Sequence, residues 1–398
     1  MGALYTNMKS SKLQSSADTR PTICFPFTGD SVGGSHYSVL GLLKNIDRSR
    51  YRVMVVPQYA DGEIAKLFQD HNIVIESGLK WNDYIPGEKL GLTKFLGNLH
   101  HIPSQIRFLR SNNVNIVHSN DGRTHATWAM AARLSGAKLL WHHRGDPTAR
   151  GLNFAAPLLA NTILTVSRFS LPQRSFWSGA DKAKVVHSPF DTSIEVDRIS
   201  ARAALLKECK LPENSLIVGY SGIFIDRKRP LLFLDMIAKL KQILPDRPVM
   251  GAMFGKSESE SMSEMINRRI EELGIADNVR LMGWRTPGPY WIGACNQLII
   301  PAVGEPFGRT LVEAMLVGTP VVATRSGGNI EALRDGKIGV LVEPENAAAL
   351  AEAIAMLAKK PDLAEEYSAK AREDALTRFG EDIHMRQVTE TYDQMLAL

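Results

Sequence analysis

The sequence predicts an α/β protein made of two doubly wound, parallel-sheet halves, and three observations carry that prediction. Short β-branched and apolar runs alternate with longer helix-period stretches along the chain, the pattern of repeated βαβ units. A turn-rich segment, His187-Ser188-Pro189-Phe190-Asp191, follows a strand near mid-chain. It leaves two halves of roughly 175 to 200 residues, each long enough to bury its own core. No run of 18 apolar residues occurs, so no helix is expected to cross a membrane.

In chain order, residues 1–20 are polar, lack an apolar signal core and read as a disordered tail. Residues 21–190 form the first expected domain, with candidate strands Thr22–Phe27, Tyr51–Pro57, Ile73–Glu76, Asn115–His118, Lys138–His142, Thr162–Val166 and Lys184–His187. The stretch Leu90–Leu109 has near-3.6 periodicity, with Pro103 expected to kink or split it. Residues 191–378 form the second domain, with candidate strands Leu216–Ser221, Pro248–Phe254, Val279–Met282, Gln297–Pro301, Val321–Thr324 and Gly339–Val342. Ala347–Ala358 is nearly all strong helix formers. A last helix is expected over 379–398, with Ile383, Val388, Tyr392 and Met395 as its apolar positions.

The 398 residues are 44% hydrophobic and 22% charged, ordinary globular usage that excludes disordered, collagen-like and coiled-coil classes for the bulk of the chain. Three scattered cysteines (Cys24, Cys209, Cys295) exclude a disulfide scaffold or a cysteine zinc site and fit a reducing, cytoplasmic compartment. The net charge of +5 is unevenly placed. Residues 1–195 hold 22 Lys and Arg against 14 Asp and Glu, net +8, and residues 196–398 hold 25 against 28, net −3. A basic first half suits an anionic partner, and a plain solvated surface remains the alternative. Lys89, Lys94, Arg107 and Arg110 beside the Leu90–Arg110 apolar stripe make peripheral contact with an anionic membrane one expectation, against simple core packing.

The most informative segment runs from Pro301 to Met315: a strand end, a tight Gly/Pro loop and a helix. The first amides of that helix, at Arg309, Thr310 and Leu311 after Gly308, are unpaired and favour an anion such as phosphate. Glu305 and Glu313 bracket Phe307, Gly308 and the helix start, suited to sugar hydroxyls and a ribose diol. Ligands of doubly wound sheets sit beyond the carboxyl ends of the strands, so the cleft between the halves is the expected site. Three further clusters lie at such ends. Gly33-Gly34 permits close backbone approach before a helix. Asn120, Asp121 and His125 follow one strand, and His142-His143-Arg144 follows the next. His142 and His143 are adjacent strand residues pointing to opposite faces, which leaves them a poor metal pair, and one of them, His143 by preference, is expected in the cleft with Arg144. No Asp-x-Asp pair occurs, and no G-x-G-x-x-G follows the first strand, which disfavours a dehydrogenase.

Glu305 and Glu313 with their intervening residues resemble the E-x7-E motif of retaining glycosyltransferases of family 4, which have the GT-B fold. Gly283-Trp284-Arg285, Gly318-Thr319-Pro320 and Gly327-Gly328-Asn329-Ile330-Glu331 extend the resemblance, which is dense from about Leu216 to Leu357. It implies two Rossmann-like domains facing across a cleft, with the last helix crossing back onto the first. It also implies that the second domain binds a nucleotide-sugar, UDP ahead of GDP, with Trp284 and Arg285 beside the base. Lys228 matches the family's lysine on the diphosphate. The family's arginine is replaced by Ile223, and Arg227 or Arg229 is left to supply that charge, Arg229 being the donor-site choice. Asn120 stands where a histidine is usual and, with Asp121, is assigned to the transferred sugar or acceptor; Asn cannot act as a base. His125, His143 and Arg144 are assigned to the acceptor side. The implied activity is metal-independent, retaining, front-face transfer to a glycan, lipid or small-molecule acceptor, with a sugar-containing, anionic or lipid-linked one as the partner expected, no cofactor beyond the donor and no nucleic-acid partner. A nucleotide-sugar epimerase on the same fold and a non-catalytic nucleotide-sugar-binding protein remain open alternatives.

Overall fold

The computed structural model describes residues 18–81, 97 and 99–397. Two sheets form from mostly buried runs, as expected for parallel strands covered on both faces. The first has order β2-β1-β3-β4-β5-β6, with β1 Thr22–Phe27, β2 Arg52–Pro57, β3 Val114–Ser119, β4 Lys138–His143, β5 Thr162–Thr165 and β6 Ala183–Val185. The second has order β12-β11-β10-β7-β8-β9, with β7 Leu216–Ser221, β8 Val249–Phe254, β9 Val279–Gly283, β10 Gln297–Ile300, β11 Val321–Thr324 and β12 Val340–Val342. Neighbouring strands pair in parallel in both sheets. In each sheet the order reverses beside the first strand, β1 or β7, which places a ligand crevice at the carboxyl ends of the central strands.

Among the described residues, the expected strand Ile73–Glu76 makes only an isolated bridge, Val55 to Ile75, and Val74 is exposed. Pro103 splits the expected helix rather than kinking it: it lies in the first turn of a separate helix, Ile102–Ser111, where its missing N–H would be unpaired anyway. A 3-10 turn, Leu99–His101, precedes it, and the upstream part of the expected helix, with Lys89 and Lys94, lies outside the described residues. The described part of its apolar stripe, Leu109 with Ile102, Ile106 and Phe108, packs into the core against Trp128 rather than facing outward. Of the expected tail, residues 1–17 lie outside the described residues, and Arg20 is tied to Asp18 and to the Arg48 carbonyl.

The last helix, Glu381–Ala397, buries Val388, Tyr392 and Met395 in the core of the first sheet. Arg50 and Asn45 anchor it through Asp393 and Glu381, each at 2.8 Å. The chain therefore crosses between the sheets twice, and the crossings run side by side. Phe190 and Gly380 form a bridge, and the His187 carbonyl stands 2.7 Å from His384 Nδ1.

Candidate active site at the cleft

The loop 301–308 is shaped by its neighbours. Gly327 holds a left-handed φ of +58°, and a Cβ there would lie 2.4 Å from the Glu305 carbonyl oxygen. Only glycine lets the two backbones approach so closely. The Gly328 amide donates to that same carbonyl at 2.8 Å, and the Gly304 amide to Ser326 Oγ at 2.9 Å. From the first domain, Ser167 Oγ donates to the Pro306 carbonyl at 2.6 Å. Gly308 then caps helix Arg309–Leu316 without a side-chain acceptor, which leaves the first amides, through Thr310 and Leu311, for a ligand.

Charged groups converge on this helix start. Burial raises the Glu313 carboxyl, and Arg309 and Lys228 oppose the shift. Arg309 Nε lies 3.8 Å from Glu313. Burial lowers Arg309, against the attraction of Glu313 and Glu381. Its guanidinium donates to the Pro189 carbonyl at 3.3 Å and covers the Phe190 ring at 4.4 Å. Gly34 faces the same side chain: a Cβ there would sit 3.0 Å from Arg309 Cδ, so the Gly33-Gly34 loop meets helix Arg309–Leu316 across the cleft. Lys228 ends the turn Asp226–Lys228, and Gly222, at φ +141°, leaves room for it, since a Cβ would lie 2.7 Å from Lys228 Nζ.

Several residues are placed differently from the sequence reading. Arg229 turns away from the cleft onto Asp226 and Glu345, at 2.7 and 2.6 Å, because its backbone is left-handed. Arg227, the other candidate, reaches Glu305 at 2.5 Å. Arg285 is drawn to Glu208, the Met282 carbonyl and the Trp291 ring, on the side of helix Arg198–Cys209. Trp284 is largely exposed. Phe307 is buried among His187, Phe190 and Phe379, where it packs the crossing rather than lining the donor pocket.

On the first domain, Asp121 caps helix Gly122–Ser135, both carboxylate oxygens being taken up by Thr124. Asn120 is fully buried; its Nδ2 donates to the His118 carbonyl and its Oδ1 accepts from Arg144 at 3.2 Å. His125 is not in the cleft: it stacks on Trp141 at 3.9 Å, bonds Ser119 and is held neutral by burial. His143 packs under its own loop, 2.9 Å from the Asp146 carbonyl. His142 points to the opposite face, 3.1 Å from His118, which in turn meets Tyr392 at 2.6 Å. Arg144 is the member of this group that stands toward the cleft, donating to Asn120, Ser188 and His142. Burial pulls its guanidinium below the usual range, with Arg309 adding to the effect.

Two features escaped the sequence reading. His36 Nδ1 accepts from the Gly33 amide at 3.0 Å, a helix-start position three residues on that fixes the Gly-Gly loop. Glu331 latches the domains: it accepts from His187 at 2.8 Å and from the Arg168 amide at 2.6 Å. Among the described residues, no group of three or more His, Cys, Asp or Glu stands close enough to hold a metal ion.

Residues 202–374 match the family described as glycosyl transferases group 1. This segment is a group 1 glycosyl transferase domain. It contains the Glu305 loop, the helix carrying Glu313, and Lys228. The chain is 31% identical over 288 residues to the D-inositol 3-phosphate glycosyltransferase of Streptomyces scabiei, covering 67% of this chain and 61% of that protein. It spans between half and about three fifths of the length of the curated relatives it matches first. Anabaena HepE in complex with UDP-glucose superposes with a TM-score of 0.78 at 21% identity, covering 94% of this chain and 99% of that one. A glycosyltransferase from Rickettsia africae gives 0.77 at 19% identity, covering 95% and 99%. The fold is GT-B: two sheets of six parallel strands with their helices.

Proposed function

We propose that the chain is a retaining glycosyltransferase that moves a sugar from UDP-sugar, with GDP-sugar the second choice, to a sugar-containing acceptor bearing an anionic or lipid-linked group. One observation carries this reading: Glu305, Glu313, Lys228 and Arg309 converge on the free amides of helix Arg309–Leu316, opposite the Gly33-Gly34 loop. Amides and cations receive the diphosphate, Glu313 takes the ribose diol, and Glu305 the donor sugar. As the sugar C1–O bond to phosphate breaks, charge grows on the leaving oxygen and Lys228 and Arg309 offset it, without a metal ion. The acceptor hydroxyl attacks C1 on the same face, and its proton passes to the departing phosphate oxygen. Asn120 lacks a basic atom, which suits this route.

An anionic acceptor is supported by Arg144. It has no carboxylate in hydrogen-bond reach among the described residues, and its buried Nε lacks a partner. Relatives named for inositol phosphate and the net +8 of residues 1–195 point the same way. We place the enzyme in the cytoplasm, peripheral to the inner face of the membrane; no described helix is long and apolar enough to cross one.

The test is a thermal-shift and hydrolysis screen of UDP-, GDP- and ADP-sugars in EDTA, with wild type and Glu305→Ala. The expected result is stabilisation by one donor class, slow hydrolysis, and loss of turnover but not of nucleotide binding in the variant. Stabilisation without turnover, even with acceptor extracts added, would overturn the transferase in favour of a binding protein.

A further inference from the structure

The largest unexplained apolar exposure lies on the first domain beside the cleft. Phe176 is 107% exposed and Trp177 53%, in the loop that follows β5. Phe154 at 66% and Leu158 at 59% stand about a turn apart on the helical segment 151–159 that follows β4. The two segments lie side by side: a Cβ on Gly179 would be 3.9 Å from Pro157 Cα, and Lys182 Nζ donates to the Pro157 and Ala160 carbonyls at 2.9 and 3.1 Å. Four large apolar side chains thus share one face without a partner. Exposed patches of this kind mark an interaction surface rather than ordinary surface scatter.

Charge selects the partner. Residues 150–182 hold four Lys and Arg (Arg150, Arg168, Arg174, Lys182) against one acidic residue, Asp181, net +3. Arg150 and Arg174 flank the aromatic tips and are exposed. Phe and Trp at the tip with cations behind match the layering of a bilayer surface, where aromatic rings sit at headgroup depth and lysine and arginine meet anionic lipid. Position agrees as well. Both segments leave carboxyl ends of strands, and the second carries Ser167 and Arg168, which touch the catalytic loop and Glu331. A surface held there brings the cleft mouth to the headgroups.

We propose that Phe154, Leu158, Phe176 and Trp177, ringed by Arg150 and Arg174, form a docking face for an anionic lipid bilayer. It deepens the proposed function by giving the peripheral contact a place, but it is tested by lipid binding alone, so failure of the transfer reading leaves it intact. The experiment is co-sedimentation of the full chain with vesicles of phosphatidylcholine alone or with phosphatidylglycerol added, across a salt series. Binding to the anionic vesicles that weakens with salt is expected. Phe176→Ser/Trp177→Ser should lower it by about tenfold or more through lost apolar burial. Arg150→Gln/Arg174→Gln should lower it by about tenfold and flatten the salt dependence. Melting temperature and donor hydrolysis should stay at wild-type values in both variants. Equal binding by wild type and the aromatic variant, or no binding to anionic vesicles at all, would overturn the proposal. So would a change of oligomeric state in the aromatic variant with lipid binding unaltered, which would assign the face to a second copy of the chain.

Discussion

Lys228→Ala tests the electrostatic reading of the cleft most directly. Lys228 is half-buried on a one-turn 3-10 segment, with room made by Gly222, and no described carboxylate is hydrogen-bonded to it. Its removal therefore breaks no hydrogen bond to a described carboxylate, and the melting temperature should fall only slightly, through the weaker opposition to the buried Glu313 charge. Catalysis should suffer far more. A cation aimed at charge that develops only as the nucleotide leaves acts on the transition state, and deleting one such group costs about 2.7–4 kcal/mol, or 10²–10³ in kcat. A second effect follows from Glu313, whose carboxyl is raised by burial and held back by Arg309 and Lys228. Without Lys228 it rises further, so the acid limb of the kcat/KM profile moves to higher pH. The assay is steady-state turnover over a series of donor concentrations, at several pH values, beside a melting curve. A variant with wild-type kcat and only a raised donor KM would refute the reasoning, because Lys228 would then bind ground state and transition state alike. An acid limb that stays in place would refute the coupling to Glu313.

Three further outcomes are expected. Glu313→Gln should raise the melting temperature of the ligand-free protein at neutral pH while abolishing stabilisation by nucleotide: the folded carboxyl binds its proton more tightly than the unfolded one, so its contribution to stability falls as pH rises above the ordinary Glu range. Gly327→Ala should destabilise by about 3 kcal/mol, from a left-handed backbone plus a contact with the Glu305 carbonyl, and should lower activity with it; a melting curve and a turnover assay check both. Glu331→Gln should lower stability above the ordinary Glu range and converge with wild type in acid. Burial raises the Glu331 carboxyl, but His187 and the Arg168 amide outweigh it and leave it lowered, so its contribution is lost as pH falls through the folded value.

The fold was legible because apolar runs and helix periods are local signals, and both sheets follow from them. Ile73–Glu76 misled because three apolar residues and a glutamate read as a strand, whereas a single bridge to the edge strand β2 is all they form among the described residues. In the site, the helix start at Arg309–Leu311 and the two glutamates were legible because spacing fixes which groups a strand-loop-helix brings together. Side-chain direction was not. Arg229 and Arg227 are two residues apart on one turn, and only the left-handed backbone at 229 decides which faces Glu305. Arg285 was lost to Glu208, a partner 77 positions away that no local pattern announces. His125 and His143 were misplaced for the same reason: strand-end titratable groups suggest a cleft, yet Trp141 and the 144–146 loop claim them for packing.

The loop carrying Glu305 is held from both domains, and this bears on how the site works. Ser167 of the first domain binds the Pro306 carbonyl, Arg168 and His187 bind Glu331, and Glu331 belongs to the same Gly-Gly segment that sets the Glu305 backbone. Arg309, one turn before Glu313, rests on Pro189 and Phe190 of the crossing and faces Gly34. Displacing one sheet relative to the other therefore cannot leave the donor groups untouched, because the contacts that orient them cross the boundary. Glu305 is paired with Arg227 in this arrangement, and on the proposed function a sugar hydroxyl would replace that guanidinium at the carboxylate. Arg227 is 40% exposed and Glu305 12%, so water can take up the guanidinium as the pair parts, while the carboxylate must find another donor in a largely buried place. The architecture thus anchors the loop backbone from both domains and leaves its carboxylate with one charged partner that reaches solvent, so the loop can keep its shape when that partner is exchanged.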